Sequence, residues 1–278
     1  MASSKNKNQI TISSVNKLKA VLNAESVQQQ FKNALQENTG AFVASIIDLY
    51  SSDTYLQKCD PNQVVMEALK AATLKLPINK QLGFAWIVPY KKNNVPIPQF
   101  QIGYKGYIQL AMRTGQYRYI NAGIIQEGVG VNRDILTGRI EFSGEPTSDK
   151  PQGYFAYMEL LNGFSKTVYM TKDEVLAHAK RYSPSFKSNS SAWKTNFDEM
   201  AQKTVIRKLL SHYGFLSTEM MTALTNDGDF NEESGVAEEI EANANSETID
   251  IEAEVQEEES AEEFKLEPKK EEKEGPGF

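Results

Sequence analysis

Cysteine and histidine are almost absent from this chain. Cys59 is the only cysteine among 278 residues, so no internal disulfide can form, and the chain reads as a protein of a reducing cytosol. With that thiol and only His178 and His212, a structural or catalytic zinc site is not expected. Long apolar runs are missing too: none approaches the roughly 20 residues that a membrane helix needs. The opening MASSKNKNQ lacks the apolar segment of a secretion signal. No GxxxxGK[ST] phosphate loop occurs, which removes the usual site of a nucleotide-driven motor. No compact Asp/Glu cluster in the body suggests a two-metal nuclease. Asp227-Gly228-Asp229 has the flavour of a calcium loop without the spacing of one. No internal repeat is evident. These absences point to a ligand that is held rather than cut, with no cofactor.

Charge is present but divided. Residues 1–225 carry 26 Lys and Arg against 17 Asp and Glu, whereas residues 226–278 carry 4 Lys against 20 Asp and Glu. The overall charge of −7 therefore averages a basic body and an acidic tail, a pattern common among proteins that handle nucleic acid. The tail is rich in Glu, Asn and Ser with one weak apolar patch at Ile249–Ile251, and it reads as disordered. The domain plan is thus a flexible segment 1–14, a body 15–225 and a disordered acidic tail 226–278.

Apolar spacing predicts helices from Val15 to about Gln36, from Gly40 to Tyr50, and from an Asp60-Pro61 start to about Leu76, ended by Pro77. They read as a packing layer. The period then changes. Phe84–Tyr90 and Ile97–Gly103 read as a hairpin whose prolines, Pro89, Pro96 and Pro98, confine it to an edge or a projecting finger. Its turn carries Lys91 and Lys92, which either reach phosphate or are simply solvated. Strands follow at Tyr117–Glu127, Val129–Asp134 and Arg139–Phe142, and a further pair, Tyr154–Leu161 and Phe164–Met170, flanks an Asn162-Gly163 turn. Thr171-x-x-Glu174 is a capping box that opens a helix to about Tyr182. After a polar loop bearing Lys187, a long helix runs from about Ser191 to Tyr213 and stops at Gly214.

Two stretches carry chemistry. In PQFQIGYKGYIQLAMRTG, residues 98–115, a strand turns through Gly103 and Gly106 into an amphipathic helix. The glycines permit close approach of a ligand. Lys105 supplies a cation, Tyr104 and Tyr107 offer faces on which bases can stack, and Arg113 adds a second cation near the helix end. Taken alone, the corner fits equally well a tight turn with ordinary surface charge. In SAWKTNFDEMAQKTVIRKLLSHYG, Trp193, Phe197, Met200 and Thr204 share one face and read as core. Lys203 and Arg207 lie one turn apart on a neighbouring face, near Lys194 and Lys208. Glu199 can pair with Lys203, and Arg207 and Lys208 suit the helix C-terminus. The surplus positive charge of the body favours phosphate contact for Lys203 and Arg207.

These motifs, in this order and with the acidic tail behind them, resemble the RecT family of phage and prophage single-strand annealing proteins over roughly residues 20–225. The pairing of IGYKG…RTGQ with AWKTNFDEMAQKTVIRKLL carries the likeness. The resemblance implies an α+β fold related to other annealing proteins, with a small curved antiparallel sheet and β-hairpins backed by helices around a DNA groove. It implies ATP-independent binding of single-stranded DNA, annealing of complementary strands through a duplex intermediate, and a homo-oligomer in the form of a ring or helical filament. On the family motif, Lys105 and Arg113 fall on the basic positions of the first stretch, and Lys203 and Arg207 on those of the second. A phage exonuclease and a host single-strand binding protein are the further partners the family brings, in a bacterial cytoplasm. The tail matches no family pattern.

Other classes stay open on the residues alone. Gly103-x-x-Gly106 has the form of a KH-domain clamp, which would join two helices rather than a strand and a helix. A protective, non-annealing single-strand binding protein would show the same basic surface, and an oligomeric scaffold would offer that surface to an acidic protein. An enzyme is not expected.

Overall fold

The computed structural model describes residues 14–92, 95–183, 185–188 and 191–227. The segment 1–13, the turn residues Asn93 and Asn94, and the acidic tail after Asp227 lie outside the described residues, so the expected flexible start and disordered tail do too. All described residues belong to one compact unit.

The chain begins with a helical layer. The first expected helix is two, α1 (residues 14–22) and α2 (Glu25–Leu35), broken at residues 23–24. α3 (Thr39–Ser52) and α4 (Pro61–Thr73) follow. Asp60 caps α4 as its sequence position predicts, its carboxylate accepting from the Asn62 N–H at 3.2 Å with proline at the first helical position. α4 ends before Pro77 is reached. Lys75 turns left-handed at φ 51°, and the Leu76 N–H donates back to the Ala71 carbonyl at 3.0 Å, a Schellman closure. The layer packs through Leu18, Phe31, Ile46, Val64 and Ala68, all buried, with the Phe31 and Phe42 rings 5.9 Å apart.

β1 (Ala85–Lys92) and β2 (Val95–Ile102) pair antiparallel in a sheet of their own, with Pro89 opposite Pro98. In a two-stranded sheet both strands are edges, which is where proline can sit. α5 (Tyr104–Arg113) leaves directly from β2. β3 (Tyr117–Gln126), β6 (Pro151–Leu160) and β7 (Ser165–Thr171) form a three-stranded antiparallel sheet in the order β3-β6-β7. Between β3 and β6, β4 (Gly130–Arg133) and β5 (Ile140–Ser143) make a small separate hairpin. The fold is α+β, as expected, but among the described residues its strands are shared by three small sheets. The Asn162-Gly163 turn closes β6 to β7 differently from the expected pair of positive φ angles. Only Gly163 is left-handed, at 87°, while the Asn162 side chain accepts from the Phe164 N–H at 2.9 Å.

α6 (Lys172–Tyr182) opens on the full capping box of Thr171 and Glu174. The long helix expected after it is interrupted: α7 (Ala192–Thr195) stops at Asn196, whose backbone leaves the helical region (φ −140°, ψ 53°), and α8 (Phe197–Tyr213) starts from there. A further helix, α9 (Thr218–Asn226), capped by Ser217, was not anticipated. α8 lies across the three-stranded sheet and against α5, and α9 packs on α5 and β2. One continuous core joins the helical layer to this assembly.

Candidate nucleic-acid interface

The corner between β2 and α5 is closed by packing. A β-carbon on Gly103 would run into the Gly83 carbonyl and the Trp86 ring, and one on Gly106 into the Phe84 carbonyl. The Gly103 N–H also donates to the Phe84 carbonyl at 2.9 Å. These glycines therefore admit the chain entering β1, and the space they leave is already filled by protein. What the corner presents outward is Lys105, which is exposed and has no carboxylate partner among the described residues. Its ammonium stands 5.9 Å from the centroid of the half-buried Tyr104 ring. Beside it opens a cleft of about 360 Å³, walled by Lys80, Trp86, Tyr104 and Lys105 on one side and by Asn196, Glu199 and Lys203 on the other. Lys80 is partly neutralised, 3.1 Å from Asp53.

Behind the cleft the second motif turns inward. Lys203 is 3 % exposed and Arg207 6 %. The Lys203 ammonium is 3.0 Å from both carboxylate oxygens of Asp227, whose side chain is fully buried. The same carboxylate accepts from the Tyr107 hydroxyl at 2.8 Å and the Ile102 N–H at 3.3 Å. Arg207 donates to the Leu224 carbonyl at 3.1 Å. A carboxylate can be buried only if it is paired and hydrogen-bonded; here three elements supply donors, and α9 is fastened down by the result. Burial, followed by the neighbouring carboxylate, holds the Tyr107 phenol well above its ordinary pKa.

The structure sets several of the expected contact residues against protein groups. Tyr107 offers no stacking face, because its ring is wholly buried and its hydroxyl is tied to Asp227. Lys203 and Arg207 are buried, and the Lys203 charge at the back of the cleft is already met by Asp227. Arg113 is engaged as a cap: its guanidinium donates to the carbonyls of Leu74 at 2.7 Å and Lys75 at 2.9 Å, satisfying the open end of α4. Trp193 is the core residue it was expected to be and Phe197 packs against that core partly buried, in an edge-on aromatic row with Tyr154. Of the remaining cations, Lys91 is exposed at the end of β1, Lys187 is exposed in the loop, and Lys194 is exposed 5.2 Å from the Phe186 ring. The Lys92 side chain lies outside the described features. Lys208 is exposed but borders a different cavity, with Arg133, Lys166 and His212.

The RecT family model matches residues 40–243. The chain belongs to the RecT family. Among its relatives, the uncharacterized protein YqaK of Bacillus subtilis strain 168 is 46 % identical over 236 residues, covering 84 % of this chain and 79 % of that protein. Protein RecT of Escherichia coli K12 is 28 % identical over 178 residues, 62 % of this chain and 65 % of that one. Membership implies a protein of single-strand annealing recombination.

For this RecT-family protein, sequence reasoning missed Trp86, Asp227 and Lys166. Trp86 sits in a strand whose apolar run reads as core. Asp227 lies in a stretch whose composition reads as the start of the tail, and nothing local marks it as the partner of Lys203. Lys166 stands alone in a hairpin and acquires neighbours only when β7, the β4–β5 hairpin and α8 converge. Among the described residues no group of three His, Cys, Asp or Glu side chains could hold a metal ion, and no helix is long and apolar enough to cross a membrane.

Proposed function

We propose that this RecT-family protein binds single-stranded DNA at the corner cleft and anneals it to its complement without ATP. The observation that carries the reading is the exposed Lys105, without a carboxylate partner among the described residues, beside the Tyr104 and Trp86 rings at the mouth of the cleft. Lysine there can hold phosphate without reading sequence, and the aromatic pair offers faces to bases of any identity. For annealing, most base edges must stay free for the second strand, so the grip falls on the backbone and on occasional stacked bases. Lys91, Lys187 and Lys194 extend the basic surface as secondary contacts. The annealing domain is the body from Val15 to Asp227, two residues longer than composition suggests, because Asp227 is part of its core.

The protein acts as a homo-oligomer in this proposal. The loop joining β4 to β5 supports it: Ile135 and Leu136 are each 95 % exposed, and the loop is held in shape by Asp134, which accepts from the Leu136 and Thr137 N–H groups at 2.8 and 2.9 Å. Two adjacent aliphatic side chains on an ordered tip are a contact surface awaiting a neighbour.

The test is strand annealing without nucleotide. A donor-labelled oligonucleotide is bound to the protein, and an acceptor-labelled complement or an unrelated strand is added. Fast energy transfer with the complement alone supports annealing. Equal binding of both strands with slowed pairing makes the protein a protective single-strand binder instead. Salt-insensitive or absent binding would favour the scaffold. Ile135→Asp with Leu136→Asp reduces the mass of the assembly in light scattering; an unchanged mass removes the tip from the oligomer interface.

A further inference from the structure

A second cavity, of about 290 Å³, shares no lining residue with the corner cleft. Arg133 of β4, Lys166 of β7, and Lys208 and His212 of α8 converge on it, with Tyr213 at the same wall. Five other cations among the described residues, Lys70, Lys80, Arg118, Arg139 and Lys203, are each paired with a carboxylate. Arg133, Lys166 and Lys208 have no carboxylate within ion-pair distance among the described residues. Glu174 is the only carboxylate among the described lining residues, and its Oε2 is already accepting from the Thr171 N–H at 2.7 Å in the capping box.

Lys166 is held in place by neutral groups. Its ammonium donates to the Thr137 carbonyl at 3.2 Å and lies 5.0 Å from the Tyr213 ring centroid. It lies close over Gly138, where a β-carbon would stand 2.6 Å from the Lys166 nitrogen and shift it. The ammonium is thus positioned without being neutralised. The His212 ring uses Nδ1 locally, 2.9 Å from the Ser211 hydroxyl and 3.0 Å from the Lys208 carbonyl, which leaves its other nitrogen uncommitted among the described residues. A convergence of cations from three elements, fixed by neutral partners and edged by tyrosine, suits a phosphodiester better than a compact organic ligand.

We infer that Arg133, Lys166, Lys208 and His212 form a second phosphate-binding site for a polynucleotide backbone. It rests on the proposed function and adds a second point of grip to it. Both sites are carried by α8: Met200 borders the corner cleft and His212 this one, about 18 Å apart at about 1.5 Å of rise per residue. Lys203 and Lys208 border the same two sites five residues apart, so one rigid helix ties the two grips together. The phosphate bound here belongs either to the strand already in the cleft or to the incoming strand, and the two sources separate experimentally.

The experiment compares the full chain with Lys166→Gln/Lys208→Gln and with a charge-matched control, Lys19→Gln/Lys32→Gln on α1 and α2. One arm measures salt-dependent binding of labelled oligothymidylate; the other measures annealing of a mixed-sequence strand to its complement. The cavity variant is expected to lose at least about tenfold against the control in one arm, with a salt slope shallower by about 1.4 for two lost phosphate contacts. Loss in the first arm places the bound strand here, and loss in the second alone places the incoming strand here. Lys208→Gln by itself, whose side chain makes no hydrogen bond or ion pair among the described residues, should give about half that change in slope, about 0.7, with unaltered thermal unfolding. A cavity variant that matches the control in both arms overturns the inference while leaving the proposed function standing. A wild-type chain that neither binds nor anneals removes both.

Discussion

Two clusters of cations in this protein are built from the same residue types and have opposite fates. At the β2–α5 corner Lys105 is exposed beside aromatic rings. On α8, Lys203 and Arg207 are withdrawn into the core, and Lys203 is closed off by Asp227. Both pairs of basic positions belong to the motifs that carry the family likeness, so recurrence in a motif does not by itself tell a ligand contact from an internal strut. The difference lies in the partner. A lysine facing water keeps its charge for phosphate, whereas a buried lysine needs a carboxylate, and here that carboxylate arrives from the end of α9. The interior pair also positions the exterior site, because Asp227 holds Ile102 and Tyr107, which flank the corner bearing Lys105.

The comparison breaks most visibly at Asp227. Asp227→Ala leaves Lys203 buried without its counter-charge and is expected to cost about 3–5 kcal/mol in urea unfolding. Adding Lys203→Met should restore much of that loss, since an apolar side chain of similar length no longer needs a partner. Stability unchanged in the single variant would mean that the ion pair is not the strut described. Next in size is Arg113→Ala, which uncaps α4 and should cost roughly 1.5–3 kcal/mol, the range for a hydrogen bond to a charged group. Its DNA affinity, measured where the variant is fully folded, should change little; a large loss of binding there would return Arg113 to the interface.

Lys105→Gln is expected to do the reverse. Thermal unfolding should move by no more than the equivalent of about 0.5 kcal/mol, while the salt slope of oligonucleotide binding becomes shallower by about 0.7. Unchanged binding would take the corner out of the site. The smallest expected effect belongs to the tail. The 19 carboxylates beyond Asp227 are expected to compete with DNA for the basic body, so a chain ending at Asp227 should bind single strands more tightly at low salt and equally at high salt. Ending the chain at residue 225 instead would remove Asp227 and confuse this test with the first.

Much of the fold was legible because its signals are local. The Thr171–Glu174 capping box, the Asp60-Pro61 helix start and the proline-bearing hairpin each involve residues within a few positions of one another, and each formed at its expected place. The break at Asn196 and the one-sided geometry of the Asn162-Gly163 turn were less legible, since backbone angles there answer to packing as well as to residue type. The site was the least legible. Arg113 is exposed, as its position suggests, but only the fold shows its guanidinium on carbonyls 38 and 39 residues away. Gly103 and Gly106 read as room for a ligand until the Gly83–Trp86 segment is found to occupy that room.

The sequence by itself determined the α+β class, the boundaries of most elements and the division into basic body and acidic tail, because composition, periodicity and capping act over short stretches; its two motifs carried the likeness to the RecT family. Only the tertiary structure decided which cations are free. Whether a lysine meets phosphate or a buried carboxylate depends on what the rest of the chain brings within about 4 Å of it, a distance at which opposite charges in a dry interior bind firmly and beyond which water soon screens them.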